Sequence, residues 1–166
     1  MKYKNRMKTD KKFMKIAIGE AIKGNKKGKY PIGAVVVKDN KVIAKSCNGL
    51  PNNLDPTAHA EMIAIRDAAK KLKSRYLNDY ILYTTNEPCV MCVGAAVWAN
   101  MKGIVFGARI KDLEDFWKKR RNPKSTRKFI YISSKVILKN CRPKMHVKGN
   151  FMREKCLKLF DLYETY

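Results

Sequence analysis

The sequence has no uninterrupted apolar run approaching the ~18 residues that a membrane span needs. Its opening, MKYKNRMKTDKK, carries no apolar signal core. These absences lead to the expectation of a soluble, cytoplasmic protein without a membrane partner. Acids are scarce: 14 Asp and Glu face 37 Lys and Arg, a formal charge of +23. That excess is far beyond what solubility asks and is enough to attract a polyanion. Between Asp115 and Glu154 there is no acid at all, so one flank is expected to be strongly positive, either a surface for a polyanion or a solvated lysine-rich face. Internal repeats, low-complexity tracts and Gly/Ser- or Pro-rich linkers are also missing. With 166 residues, the expected organisation is a flexible basic N-terminus over 1–8 and a single domain over 9–166.

Histidine is nearly absent, with only His59 and His146. The five cysteines, Cys47, Cys89, Cys92, Cys141 and Cys156, are odd in number and irregularly spaced, which argues against a disulfide framework. Cys89 and Cys92 alone have the two-residue gap that lets both sulfurs reach one metal ion or form a redox couple. Cys47, Cys141 and Cys156 are expected as core thiols, His146 as a bland residue of a basic strand, and Trp98 as a buried helix aromatic or else a wall of the pocket.

Along the chain, Thr9 is placed to cap a helix with Phe13, Ala17 and Ala21 on one side and Gly24 as its stop. Ile32 to Val37 and Val42 to Cys47 read as a hairpin turning at Lys38 to Lys41. A polar loop from Asn48 to Thr57 comes next, and Asp55 or Thr57 can cap a helix on which Ile65, Ala68, Ala69 and Leu72 share a face. Asp79 to Thr85 reads as a buried strand, and Pro88 suits the first turn of a short helix. Gly103 to Ala108 and Phe129 to Ser133 read as the last two strands. Gly149-Asn150 then starts a terminal helix with Met152, Cys156, Leu159 and Tyr163 on one side. The order α-β-β-α-β-α-β-α-β-α predicts an α/β fold, a three-layer α/β/α sandwich around a mixed sheet.

His59-Ala60-Glu61 precedes Pro88-Cys89-Val90-Met91-Cys92 with one strand between them, so both motifs fall at helix starts. This H-x-E…P-C-x-x-C pattern is the mark of zinc deaminases acting on nucleobases. His59, Cys89 and Cys92 supply three ligands for one Zn2+ per chain and leave a fourth position for water or hydroxide, as catalytic zinc requires. The ion brings the pKa of that water to about 7. Glu61 is assigned as the general acid/base that takes the water's proton, delivers it to the ring nitrogen and, in a second transfer, protonates the departing ammonia. Trp117 beside Lys118, Lys119, Arg120 and Arg121 would suit base stacking and phosphate contact, or else a helix with its aromatics in the core.

At these residues the chain resembles the cytidine-deaminase-like superfamily, in the branch of tRNA adenosine deaminases, guanine deaminases and cytosine deaminase. The landmarks run from Pro31-Ile32-Gly33-Ala34-Val35-Val36-Val37 through Asn48, Asp55-Pro56-Thr57-Ala58-His59-Ala60-Glu61, Leu82-Tyr83-Thr84-Thr85 and Glu87-Pro88-Cys89-Val90-Met91-Cys92 to Gly94-Ala95. The resemblance implies a five-stranded sheet between helices, zinc on His59, Cys89 and Cys92, proton transfer by Glu61, and a homodimer. It also implies that Asn48 hydrogen-bonds the substrate base and that the backbone N–H groups of Ala60 and Cys89 contact base or water. Glu87 to Cys92 and Val105 to Arg109 look like the tRNA enzymes, whereas Ala64-Ile65-Arg66 and Val97-Trp98-Ala99 look like guanine deaminases. Ile110 stands where the tRNA enzymes carry an aspartate. The basic flank tips the expectation toward adenosine-to-inosine conversion in tRNA or other RNA. The alternatives are a deaminase of a free base or nucleoside of guanine, cytosine or cytidine type, and a catalytically silent zinc-containing nucleic-acid-binding module.

Overall fold

The computed structural model describes residues 7–49, 54–120 and 128–163. Helix α1 (Lys11–Asn25) starts one residue later than a Thr9 cap would set it, because the Asp10 carboxylate accepts the Lys12 N–H at 2.8 Å. Its Phe13, Met14, Ala17, Ala21 and Gly24 are buried. Strands β1 (Gly33–Lys38) and β2 (Lys41–Cys47) form the expected antiparallel hairpin. Asp39 and Asn40 both have positive φ, 46° and 64°, the two-residue turn whose twist matches that of the strands it joins.

β1 also pairs antiparallel with β3 (Ile81–Asn86), while β4 (Gly103–Ala108) runs parallel to β3 and β5 (His146–Lys148) parallel to β4. The sheet order is β2-β1-β3-β4-β5, five strands of mixed direction. Helices α2 (Ala60–Leu72), α3 (Val90–Trp98) and α5 (Ser134–Leu138) lie over one face, around Leu82, Ile104 and Phe106. On the other face α1, α4 (Ile110–Arg120), α6 (Arg153–Leu157) and a 3-10 turn (Lys158–Leu162) pack around Val35, Tyr83 and Val105. The three-layer sandwich expected from the element order is therefore present.

The last strand is not where the apolar run placed it. Phe129 to Ser133 forms no strand; Phe129, Ile130 and Ile132 remain 46%, 56% and 43% exposed. The segment is held instead by ring stacking of Phe129 on Trp117 and Tyr131 and by a tether from Ser133 to Glu87. The short His146–Lys148 takes the β4 edge, with only Val147 turned to the core. The terminal helix likewise begins at Arg153, after Met152 in the left-handed region at φ 56°, and buries Cys156, Leu159 and Tyr163 as expected.

Candidate metal centre

β3 and β4 run parallel, so their carboxyl ends meet at one edge of the sheet, the place where open α/β sheets hold ligands. His59 and Cys89 occupy equivalent positions there. Each is the extended N-cap of a helix, at φ −72° and ψ 150° before α2 and φ −68° and ψ 172° before α3, and neither side chain is spent on a capping hydrogen bond. The expected caps Asp55 and Thr57 are used earlier: Asp55 accepts the Thr57 N–H at 2.8 Å and its hydroxyl at 2.6 Å. That turn delivers the chain into His59 with its ring unengaged by the helix.

Two residues at the exit of β2 anchor the start of α2. Ser46 Oγ donates to the Ala60 carbonyl at 2.5 Å, and Asn48 Oδ1 accepts the Ala60 N–H at 2.7 Å. Ala60 is thus clamped through both backbone groups, with His59 and Glu61 held on either side. The Ala60 N–H donates to Asn48, which fixes where both groups stand beside the cluster.

His59 Nδ1 lies 3.6 Å from Cys89 Sγ and 3.5 Å from Cys92 Sγ, and the two sulfurs are 3.7 Å apart. A tetrahedral ion with Zn–S near 2.3 Å and Zn–N of about 2.0–2.1 Å would hold two sulfurs ~3.8 Å apart and sulfur and nitrogen ~3.6 Å apart. All three edges fit. Among the described residues this is the single cluster of His, Cys, Asp or Glu able to hold a metal ion.

The electrostatics call for a cation. A hydrogen bond from the Cys92 thiol, helped by His59, brings the Cys89 thiol down to about 4 against the effect of burial. The same bond, with burial and the Glu61 carboxyl beside it, pushes the Cys92 thiol up. One thiolate forms readily, and a second beside it needs a positive charge to offset it. The hydrogen bond to Cys89 raises His59 above its usual range.

Glu61 is 4% exposed, accepts from the Thr84 hydroxyl at 3.2 Å and lies 3.8 Å from Cys92 Sγ. Burial raises its carboxyl, only partly countered by His59. Such a carboxyl can carry a proton as well as take one. Ser46 does not stand out in the sequence, and Thr84 and the buried Glu87 enter there only as landmarks of the resemblance, with no role attached. Their signal, a polar residue inside or just after an apolar strand, is weak until a partner is visible.

The basic run stands apart from this centre. Lys118, Lys119 and Arg120 end α4, ~12–15 Å along the helix from Ile110 at 1.5 Å per residue. Lys118 pairs with Glu114 at 2.7 Å, and Arg120 donates to the Tyr163 carbonyl at 3.1 Å with its guanidinium over the Phe116 ring. Trp117 is half-buried, edge-on to Phe116 and Tyr163 and stacked on Phe129. Arg121 lies outside the described residues. Trp98, expected in the core, is 78% exposed at the end of α3, because the turn after it buries Ala99 and Met101 instead. The other cysteines are free, with only Cys156 fully buried and pushed up to about 12 by that burial. His146 is exposed on β5.

Residues 7–108 match the model of the cytidine and deoxycytidylate deaminase zinc-binding region. The tRNA-specific adenosine deaminase of Buchnera aphidicola subsp. Schizaphis graminum is 37% identical over 152 residues, 92% of this chain and 91% of its own length. The guanine deaminase of Bacillus subtilis is 46% identical over 101 residues, 60% of this chain and 65% of its own. Among solved structures, one from work on A-to-I editing by tRNA:A34 deaminases superposes with a TM-score of 0.71 at 29% identity, covering 90% of this chain and 99% of that one. The guanine deaminase of B. subtilis gives 0.61 at 38% identity, covering 76% and 87%.

Proposed function

The chain belongs to the cytidine and deoxycytidylate deaminase family and is a zinc-dependent hydrolytic deaminase, and on that premise we propose that its substrate is an adenosine held within RNA, tRNA in the first place, converted to inosine with release of ammonia. The observation that carries the RNA reading is the stretch from Phe116 to Arg153, in which every Lys or Arg is unopposed by an acid in sequence. A free base needs only a snug pocket, whereas a polynucleotide needs phosphate contacts before its base can be turned into the site. The relatives named as tRNA-specific adenosine deaminases support the same choice.

In this reading His59, Cys89 and Cys92 hold the zinc, which when bound activates water and offsets the two sulfur charges. Glu61 would take a proton from the attacking water and deliver it to the ring nitrogen; it would then take the second proton, from the hydroxyl added to the ring carbon, and give it to the amine, which leaves as ammonia while the oxo group forms. Thr84 holds the Glu61 carboxyl toward the centre, and the dry surroundings keep it able to take and give one proton at each of the two steps. Asn48, with its oxygen tied to Ala60, turns its amide nitrogen to the base. The cations of α4 and of the segment after it meet the RNA backbone, with Trp117 and Phe129 as the aromatic wall. We also propose a homodimer, supported by Trp98 at the end of α3 and Leu54 in the loop before α2, which are 78% and 98% exposed. A cytoplasmic location is part of the same proposal, supported by the bacterial tRNA-specific relatives.

The second reading, a free-base deaminase of purine metabolism, is favoured by Ile110 and by the guanine deaminase likeness. Ammonia release across guanine, cytosine, adenosine, cytidine and bulk tRNA separates the two, with inosine sought in the treated tRNA. Glu61→Gln is expected to keep one zinc per chain and to lose at least a hundredfold in turnover, in the range general acid–base catalysis supplies (about 10²–10⁴). Release from guanine alone would overturn the RNA reading, and a fully active Glu61→Gln protein would overturn the proton-transfer role.

A further inference from the structure

Glu87 is a buried carboxyl, 5% exposed, that the deamination chemistry does not use. Its Oε2 accepts the Ile110 N–H at 2.9 Å. Its Oε1 accepts the Ser134 N–H at 2.8 Å, the Ser134 hydroxyl at 2.7 Å and the Ser133 hydroxyl at 2.9 Å. Ile110 is the first residue of α4 and Ser134 the first of α5. N–H groups at helix starts have no partner inside their own helix, and here one carboxyl receives both. Its backbone is fixed as well, since the Glu87 N–H donates to the Ala108 carbonyl at 2.7 Å, at the end of β4.

Only Pro88, with its φ locked by the ring, separates Glu87 from Cys89. α5 packs in turn on α3, the helix that carries Cys92. One side chain therefore ties the loop bearing a metal ligand to α4, which ends in the basic run, and to the end of the exposed Phe129–Ser133 segment. We propose that Glu87 is a positioning residue, a latch that keeps the RNA-receiving flank in register with the metal centre; this rests on RNA being the substrate.

The four described donors make the role specific to a carboxylate. In Glu87→Gln the amide oxygen can serve one helix start, but the NH2 group then faces the other N–H, and two donors cannot bond each other. Either orientation frees α4 or α5. Glu87→Ala frees both, whereas Ser133→Ala removes one hydroxyl donor and the α5 cap that its oxygen gives the Lys135 N–H at 3.3 Å, while leaving the carboxylate and both backbone bonds.

The test uses zinc-loaded wild type, Glu87→Gln and Ser133→Ala, with zinc content, kcat and KM on tRNA, and hydrogen exchange at the Ile110 and Ser134 amides. Loss of a charge-assisted bond predicts, for Glu87→Gln, a KM for tRNA raised about tenfold. Zinc stays at one per chain, kcat falls less than KM rises, and protection is lost at one of the two amides. Ser133→Ala raises KM less than Glu87→Gln does, because it loses a neutral donor and the α5 cap while the carboxylate keeps both helix-start N–H groups. Unchanged KM and unchanged exchange would overturn the proposal, as would loss of zinc in proportion to activity, the mark of a merely structural residue. If Glu87→Gln does not fold, a Ser133→Ala/Ser134→Ala double variant must raise KM for tRNA, and an unchanged KM there overturns it. Should wild type act on a free base and not on RNA, the substrate reading fails, and the exchange at Ile110 and Ser134 decides the latch alone.

Discussion

At the scale of single residues, most of the chain's charge is cationic and solvated, and the informative acids are those held in place. Asp112 is one: its side chain is 7% exposed and sits between two arginines. Arg109 donates from its backbone at 2.8 Å and from Nη2 at 2.7 Å, while Arg153 reaches both oxygens at 2.8 and 2.9 Å. Burial would raise this carboxyl, but the Arg153 and Arg109 bonds outweigh it and hold it well below the usual carboxylate range. A carboxyl depressed in the folded state stabilises fully above its unfolded pKa of about 3.9, and that stabilisation is lost as the pH falls below it. Asp112→Asn should therefore cost roughly 2 kcal/mol at pH 7, the scale of a charged hydrogen bond in a partly exposed pair. The gap from wild type should close as the pH is lowered toward ~2. Thermal melts of the two proteins from pH 7 downward check this; a gap that widens in acid would refute the assignment.

At the scale of elements, the fold is most legible in the sequence where a local signal and a long-range partner agree. The hairpin of β1 and β2 comes from two apolar runs about a turn that accepts positive φ at Asp39 and Asn40. The metal cluster comes from spacing, because His59, Cys89 and Cys92 all fall at helix starts and helix starts meet at the carboxyl edge of the sheet. The fifth strand departs from expectation because Phe129 to Ser133 has strand-forming residues but no vacant edge to reach: Ser133 and Ser134 are drawn to Glu87. No local pattern in His146-Val147-Lys148 announces a strand. Trp98 departs for a similar reason, since helical spacing reports a face and not what covers it. Close approach of elements is equally hidden in sequence. At Gly33 an added Cβ would collide with the Ala17 carbonyl and stand 2.7 Å from the Ala21 nitrogen, so α1 lies on β1 backbone to backbone. Gly33→Ala is expected to lower stability by about 1–3 kcal/mol, the usual cost of overpacking, without changing zinc content. A denaturant melt with parallel metal analysis measures both, and a neutral effect would mean that α1 can lift away freely.

For the whole molecule, the distribution of charge decides more than its sum. A cleft of about 780 Å³ opens between the start of α1 and the start of α6, bordered by Lys11, Lys15, Arg109, Arg153 and Lys155 with Glu154 as its one acid. Lys11 and Lys15 are one helical turn apart and so share a face of α1, while Asp112 orients the two arginines from behind. Arg109 directly succeeds β4, so this cationic wall begins at the sheet edge that also holds the metal cluster. If RNA crosses that edge, its phosphates release counterions from the wall, and the logarithm of affinity falls linearly with the logarithm of salt concentration. Each phosphate contact adds about 0.7–0.9 to the slope, so Lys11→Ala/Lys15→Ala should flatten it by roughly 1.4–1.8 if both lysines meet the backbone. Titrations of tRNA between low and physiological salt read this directly. A slope equal to that of wild type would remove α1 from the RNA path and leave the basic run of α4 to carry it, and a flat slope in wild type would mean that the +23 charge has no polyanion to meet.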